Sequence, residues 1–219
     1  MMKKLAAAAL LLAFTLPLSA QDWSLGVSTG PFVFGDFLER TVQVGSGGTQ
    51  GTQVIIVSAD TRAGLAVDLE RSFSERWAVR GEGTFTRSPM TISQEGTVGE
   101  FEIDAGDLDV ATFALPLVFR INPRGSFRFY LLGGPALAVY RLDAPANTEP
   151  VIDETQQEWG VAFGGGVAWW LSDRFAIEAK ITDTITTSPM DEEDFDDTPG
   201  ANVKNPHNGH GTVGIRWRF

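Results

Sequence analysis

The final ten residues of the chain alternate between apolar and polar side chains with a period of two. From His210 to Phe219, one face of an extended strand is apolar and aromatic, and the other face carries two arginines. A strand of this kind lies between two very different surroundings. Barrels in lipid, which are apolar outside and polar inside, show this pattern routinely. The segment therefore predicts a membrane-spanning β-strand.

The same period recurs along the chain and predicts eight strands. Their bounds are 22–34, 62–71, 77–87, 110–121, 127–142, 159–171, 174–186 and 210–219. Tight turns lie at 72–76, 122–126 and 172–173, and long polar loops lie at 35–61, 88–109, 143–158 and 187–209. This alternation predicts an all-β fold: an eight-stranded antiparallel up-and-down transmembrane β-barrel with short periplasmic turns and long extracellular loops.

The first twenty residues predict a cleaved signal peptide. Two lysines precede an apolar run over residues 5–16, and small residues follow up to Ala20. The run is shorter than the roughly 20 apolar residues that a spanning helix needs, and no later stretch is long enough. Because lipid cannot satisfy open strand edges, a closed sheet is the remaining membrane structure. We expect residues 21–219 to form one barrel domain outside the cytoplasm.

Charged side chains on the predicted strands fall on the face opposite the apolar one. Facing lipid, each would cost roughly 2–4 kcal/mol at mid-depth, so we predict that they fill the interior as a lumen charge network. A soluble lipocalin-like barrel would need the reverse polarity, which alternation alone permits but the alternating loop lengths disfavour. The predicted network consists of Asp68, Glu70, Arg80, Glu82, Arg120, Arg128, Glu178, Lys180, Arg216 and Arg218.

Aromatic residues concentrate at the two ends of the predicted strands. Rings that settle at headgroup depth on both sides of a membrane produce this distribution. At the long-loop ends, these residues are Phe85, Phe113, Tyr140 and Trp159. At the short-turn ends, the predicted interfacial aromatics include Trp23, Trp77, Trp169, Phe175 and Trp217.

With these features the chain resembles the small eight-stranded outer-membrane β-barrel proteins of Gram-negative bacteria. This group comprises OmpA-like transmembrane domains and OmpX-like proteins. The resemblance covers nearly the whole mature chain and rests on the stretches Leu65–Phe85, Phe113–Tyr140 and Val213–Phe219. It implies a location in the cell outer membrane. It also implies recognition by the outer-membrane assembly machinery, through a C-terminal signal formed here by Val213, Ile215, Trp217 and Phe219.

Acidic residues concentrate in the long loops. Loop 88–109 holds six acids and no base, and loop 143–158 holds five acids and no base, in a chain of net charge -11. Such a surface repels phosphate, so we expect no nucleic-acid partner. The run at 191–197 is interpreted as a solvated loop tip. The alternative is a divalent-cation site, without the spacing of a dedicated Ca²⁺ loop, at Asp191, Glu192, Asp194 and Asp196.

No nucleophile elbow, nucleotide loop or zinc motif occurs in the sequence, so we predict neither catalysis nor a cofactor. We expect a monomer with a structural or surface-interaction role through its acidic extracellular loops, in contact with outer-membrane lipids and lipopolysaccharide. One alternative is a very narrow pore, since side chains fill a lumen of eight strands. The other is a lipid-modifying enzyme, although His207 and His210 have no neighbouring serine in the last strand.

Overall fold

The computed structural model describes residues 23–44, 51–96, 101–144, 155–189 and 201–219. In these ranges no helix is long and apolar enough to cross a bilayer. The predicted signal peptide and the four candidate cation ligands near residue 191 lie outside the described residues. Both therefore stay predictions.

The described residues form twelve β-strands, and each strand runs antiparallel to its neighbours. In chain order they are β1 (Trp23–Phe34), β2 (Leu38–Val44), β3 (Gly51–Ala59), β4 (Arg62–Ser72), β5 (Trp77–Gly96), β6 (Phe101–Ala114), β7 (Leu117–Arg120), β8 (Phe127–Asp143), β9 (Gln156–Trp170), β10 (Phe175–Thr186), β11 (Ala201–Val203) and β12 (His207–Arg218).

Nine of these strands close into a ring with eight positions. The hydrogen-bonded order is β1, β4, β5, then β6 with β7, then β8, β9, β10, β12 and β1 again. Strands β6 and β7 share one position, because both pair with β5 on one side and with β8 on the other. The predicted eight-stranded antiparallel up-and-down barrel is thus confirmed.

The fourth predicted strand is split in two at Pro116, which has no N–H group to donate to the sheet. Backbone pairing continues on both sides of the split. The Arg80 amide donates to the Pro116 carbonyl at 3.0 Å, and the Leu115 amide donates to the Pro135 carbonyl at 3.0 Å. Opposite the split, a Cβ on Gly134 would lie 2.5 Å from the Leu115 carbonyl oxygen. The glycine therefore lets the wall stay closed beside the proline.

The registers of the first and fifth predicted strands are regular. Pro31, which lies within β1, pairs with Ala63 of β4 without a register shift. Strand β8 turns Arg128 and Tyr130 toward the interior and Phe129 toward the outside. A register shift does occur between Met90 and Thr91 of β5, beyond the part of β5 that pairs with β4.

Strands continue into regions predicted to be loops. The hairpin of β2 and β3 lies within 35–61, the ends of β5 and β6 lie within 88–109, and β11 lies within 187–209. The hairpin pairs with the end of β5, and β11 pairs with β2. The sequence pattern predicted no strand in these regions. They are extended because the hairpin satisfies the backbone groups that a lengthened β5 would otherwise leave open. We call this sheet beyond the barrel the extension.

An apolar core fills the junction of the barrel and the extension. Phe37 and Tyr140 meet edge to face within it, with ring centroids 5.9 Å apart. The predicted place of Tyr140 in an outer aromatic ring is wrong, because this side chain is fully buried. The buried members of the core are Phe32, Phe34, Phe37, Leu38, Val57, Ala59, Met90, Ala105, Leu108, Val110, Ala138, Tyr140 and Leu142.

Tyr140 can be buried because its hydroxyl is satisfied inside the core. Its Oη accepts a hydrogen bond from Asn208 Nδ2 at 2.5 Å and lies 2.8 Å from Thr186 Oγ1. We expect Tyr140→Phe to lower the free energy of unfolding by about 1–3 kcal/mol, because the Asn208 amide would be left buried without this acceptor. Urea unfolding of the protein in lipid vesicles, followed by tryptophan fluorescence, measures the change. An unchanged midpoint would contradict this role.

Candidate functional site

The barrel wall is apolar outside and polar inside. On β12, Ile215 is 63% exposed, whereas the next residue, Arg216, is 2% exposed. This is the polarity predicted for the membrane barrel, and it excludes the reversed polarity of a lipocalin-like barrel. Exposed apolar side chains on the outer wall include Leu65, Val67, Leu69, Phe113, Leu117, Phe129, Leu131, Val161, Phe163, Ile177, Ile181, Val213 and Ile215.

Aromatic side chains form an outward-facing belt at the short-turn end. Phe127 stacks on Trp169 with centroids 5.6 Å apart, and Phe175 stacks on Trp217 at 6.5 Å. Trp23 is half-buried, since the Arg71 guanidinium carbon lies 5.5 Å from its ring centroid. The other belt members are Trp77, whose ring lies 4.8 Å from that of Phe119, and Phe219, which touches Trp217.

The lumen charge network begins on two adjacent strands. Cross-strand pairing places Asp68 opposite Glu82 and Glu70 opposite Arg80, with all four side chains pointing inward. Arg80 Nε donates to Glu70 Oε2 at 2.9 Å, and Arg80 Nη1 donates to Glu178 Oε1 at 2.9 Å. One guanidinium thus joins the carboxylates of β4 and β10 across the lumen.

Strands β10 and β12 complete this network from the other side. Arg216 Nη2 donates to Asp68 Oδ1 at 2.6 Å, and Arg216 Nε donates to Glu178. Lys180 Nζ donates to Glu82, and Arg120 donates to Glu70. Four carboxylates therefore face four cations inside the barrel. Burial of these groups is tolerable because each charge has an opposite charge in contact.

Sequence reasoning missed three neutral or titratable partners of this network. Tyr130 Oη donates to Glu178, and its ring lies 4.8 Å from the Arg80 guanidinium carbon. His210 Nε2 lies 3.2 Å from Glu82 Oε1. Ser24 Oγ accepts from Arg216 Nη1 at 3.0 Å. His210 has the same parity as Arg216, so it could have been included with the charged residues. The sequence left the registers of the strands that carry Ser24 and Tyr130 open.

Two predicted members do not join the carboxylates. Arg128 and Arg218 point into the short-turn mouth of the barrel, where their guanidinium carbons lie 4.8 and 4.0 Å from the Trp170 ring centroid. Neither forms an ion pair with a described residue. The single ten-residue network is therefore corrected to a balanced set of eight plus a separate arginine pair. Parity along a strand gives the direction of a side chain but not its depth in the lumen.

The network leaves almost no free volume at its level. A cavity of about 20 Å³ lies among Glu70, Arg80, Tyr130, Glu178 and Arg216, which is room for about one water molecule. Arg80 and Lys180 are almost completely inaccessible to solvent. Chemically, the arrangement holds five strands together and obstructs passage through the lumen.

The two histidines are placed on different faces of β12. His210 points inward and stacks on Phe32 with centroids 4.8 Å apart. His207 lies on the outer face, where its Nδ1 is 2.8 Å from Asp183 Oδ2. They cannot act together on one substrate in this arrangement, which disfavours the lipid-modifying alternative. The predicted assembly signal, from Val213 to Phe219, presents its apolar side chains outward, and its role stays a prediction.

A closed antiparallel barrel with an apolar wall, an aromatic belt and a charged interior is a transmembrane β-barrel. Comparison with known families makes the class more specific. Residues 6–219 match the family described as outer membrane protein beta-barrel domain, and the chain belongs to that family. The protein is therefore located in the cell outer membrane, with its short turns toward the periplasm and the extension toward the exterior. No curated protein sequence matches the chain significantly.

Solved structures share the fold at low sequence identity. OprG, an outer membrane protein of Pseudomonas aeruginosa, is similar with a TM-score of 0.63 and 12% identity, over 90% of this chain and 95% of OprG. Neisserial surface protein A is similar with a TM-score of 0.53 and 11% identity, over 92% of this chain and 98% of that protein. At such identities the likeness concerns the fold alone.

Proposed function

We propose that this chain is a monomeric, non-catalytic outer-membrane barrel with a structural and surface-interaction role, whose acidic outer end contacts lipopolysaccharide phosphates through divalent cations. The main support is a group of carboxylates around Arg87 on the outer wall. Arg87 Nη2 lies 2.9 Å from Asp107 and 3.3 Å from Asp143, and Arg87 Nε lies 3.8 Å from Asp109. Three carboxylates share one guanidinium, so the group keeps excess negative charge.

The depth of this group suits the headgroup layer. Arg87 comes two residues after Phe85 on β5, so both side chains lie on the outer face of the barrel. Arg87 is one step farther than Phe85 toward the cell exterior. No described group of three or more acids or histidines is arranged to hold a metal ion by itself. A lipid phosphate would supply the missing oxygen ligands, since hard divalent cations prefer oxygen.

The extension adds further negative charge outside the membrane. Glu95, Glu102 and Asp104 are exposed on the ends of β5 and β6. A cation also occurs here: Lys204 donates a hydrogen bond to Glu39, and this bond raises the pKa of Lys204. Lys204 therefore neutralises Glu39 locally, while the exposed acids on the other edge remain available to cations or to basic surfaces.

Lipopolysaccharide retention tests the proposed contact. The folded protein in dodecyl maltoside is mixed with lipopolysaccharide and Mg²⁺, and the lipopolysaccharide that elutes with it is quantified after gel filtration. We expect retention that EDTA abolishes and that Asp107→Asn with Asp143→Asn reduces severalfold. The matched control is Glu75→Gln, because Glu75 is an exposed carboxylate paired with Arg124 at the periplasmic end. Retention that survives EDTA, or that both variants reduce equally, would refute the contact.

The non-catalytic part of the proposal has its own tests. We expect mass spectrometry of lipid A to show the same acylation with and without expression of the protein. We also expect no steady, wide channel in planar-bilayer recordings, because the lumen charge network fills the interior. A change in acylation would favour the enzyme, and a steady large conductance would favour the pore.

A further inference from the structure

Charge is unbalanced at the periplasmic mouth of the barrel. The four lumen carboxylates are matched by Arg80, Arg120, Lys180 and Arg216. The arginine pair, Arg128 and Arg218, forms no ion pair with a described residue, and Asp173 attracts both only from a greater distance. The pair therefore adds positive charge beneath the network. Like charges in a confined mouth repel each other, so a bound anion would stabilise this arrangement.

The protein holds the arginine pair in place through an aromatic ring. Both guanidinium groups lie on Trp170, at 4.8 Å for Arg128 and 4.0 Å for Arg218. Cation–π contacts of this kind orient a guanidinium without using its N–H donors. Arg128 Nε donates to the Gly125 carbonyl at 3.2 Å, which leaves the outer N–H groups of both arginines free of any described carboxylate. A guanidinium group held in a fixed position in this way can donate paired hydrogen bonds to an oxyanion.

A cavity adjoins these two side chains. Its volume is about 360 Å³, which corresponds to roughly ten water molecules. Arg128, Arg218 and Arg120 line it, together with Ser72, Ser74 and the mutually paired Glu75 and Arg124, so cations outnumber acids around the cavity. This space is large enough for a phosphate group with several waters, in contrast to the filled lumen above it.

The two serines can add donors to an anion in this cavity. Ser72 Oγ accepts a hydrogen bond from Arg120 Nη2 at 2.7 Å, and Ser74 Oγ accepts one from the Trp77 amide at 3.0 Å. A hydroxyl that accepts through its oxygen keeps its own hydrogen for another acceptor. Both terminal nitrogens of Arg120 are already used, because they donate to Glu70, to Ser72 and to backbone carbonyls.

We propose that the periplasmic mouth is a binding site for a dianionic phosphate group, held between Arg128 and Arg218 with the hydroxyls of Ser72 and Ser74 as further donors. Two guanidinium groups match the two charges of a phosphomonoester. The several oxygens of a phosphate can accept hydrogen bonds from both guanidinium groups and both hydroxyls, whereas a single carboxylate has only two oxygens. The phosphate can be soluble or can belong to a lipid headgroup of the inner leaflet.

Calorimetric titration with inorganic phosphate tests this site. The folded protein is kept in dodecyl maltoside, which carries no phosphate, and folding of each variant is checked by heat-modifiable gel mobility. We expect Arg128→Gln and Arg218→Gln each to weaken phosphate binding by about tenfold or more, the change produced by losing one strong polar contact. Arg62→Gln is the matched control, since Arg62 is a half-exposed arginine paired with Asp60 at the opposite, outer end of β4. Its affinity should stay within about twofold of the parent protein.

The source of the phosphate is separated by competition. Short-chain phosphatidic acid carries a phosphomonoester headgroup, and short-chain phosphatidylcholine serves as the control lipid. If phosphatidic acid displaces inorganic phosphate, the site accepts a lipid headgroup, and if it does not, the site selects soluble phosphate. Either result supports the site. Absence of phosphate binding by the parent protein, or an equal loss in Arg62→Gln, would overturn it.

Discussion

Replacing Glu178 by alanine is expected to lower the free energy of unfolding by about 3–5 kcal/mol, the usual cost of removing one partner from a buried ion pair. Glu178 accepts from both Arg80 and Arg216, and all three side chains are almost completely buried. Without this carboxylate, two guanidinium groups would share the remaining acids in a space that water hardly enters. Urea-induced unfolding in lipid vesicles, followed by tryptophan fluorescence, measures the loss.

A surface carboxylate provides the control for this experiment. Glu75 pairs with Arg124 at 3.0 Å, and both side chains are mostly exposed. Glu75→Ala should change the free energy of unfolding by no more than about 1 kcal/mol, because exposed pairs contribute little. Glu178→Gln keeps the shape and removes only the charge, so it serves if the alanine variant does not fold. Equal effects at Glu178 and Glu75 would show that the lumen charge network does not stabilise the barrel.

Introducing a charge on the outer wall is expected to have the second largest effect. Ile181 is 73% exposed on β10 and lies between the belt residue Phe175 and the polar Asp183 near the outer end. Ile181→Arg should destabilise the folded protein by about 2–4 kcal/mol in lipid vesicles, because the guanidinium would face hydrocarbon near mid-depth. The measurement is the same urea titration.

The control for Ile181→Arg places the same side chain outside the hydrocarbon. Ile121 is also exposed, at 52%, but it follows β7 in a periplasmic turn. Ile121→Arg should cost about 0–1 kcal/mol, the range for positions near the interface. In detergent micelles, which adapt to a local charge, the difference between the two variants should shrink. A larger loss at Ile121 than at Ile181 would mean that the outer wall does not face lipid as described.

The strands of the barrel wall could be predicted because each one has lipid on one side and the polar lumen on the other. Alternation then assigns every residue to one face, and this assignment holds from Leu65 on β4 to Ile215 on β12. Inward charges such as Arg80 and Glu178 were predicted by parity alone. Partners could not be assigned, because a contact such as Arg80 to Glu178 joins residues 98 positions apart in the sequence.

The extension could not be predicted, because its strands depend on one another. Residues 88–96 contain a proline and polar side chains, and they form a strand because β3 and β6 pair with them on both sides. The burial of Tyr140 depends likewise on distant partners, Asn208 and Thr186. The depth of a side chain along the barrel axis could not be predicted either. Parity predicted that Arg128 points into the lumen, but it could not show that Arg128 lies below the network and contacts Trp170.

Spin-label scanning of β10 tests most directly whether this barrel is apolar outside and charged inside. The chain contains no cysteine, so single cysteines can be introduced and labelled without background from residue 175 to residue 186. In lipid vesicles, labels at Ile177, Ala179 and Ile181 should be readily accessible to oxygen dissolved in the hydrocarbon. Labels at Thr182 and Thr184 should be shielded from it, because both side chains point into the lumen. High oxygen accessibility at the threonines with low accessibility at the isoleucines would contradict the inside-outside assignment.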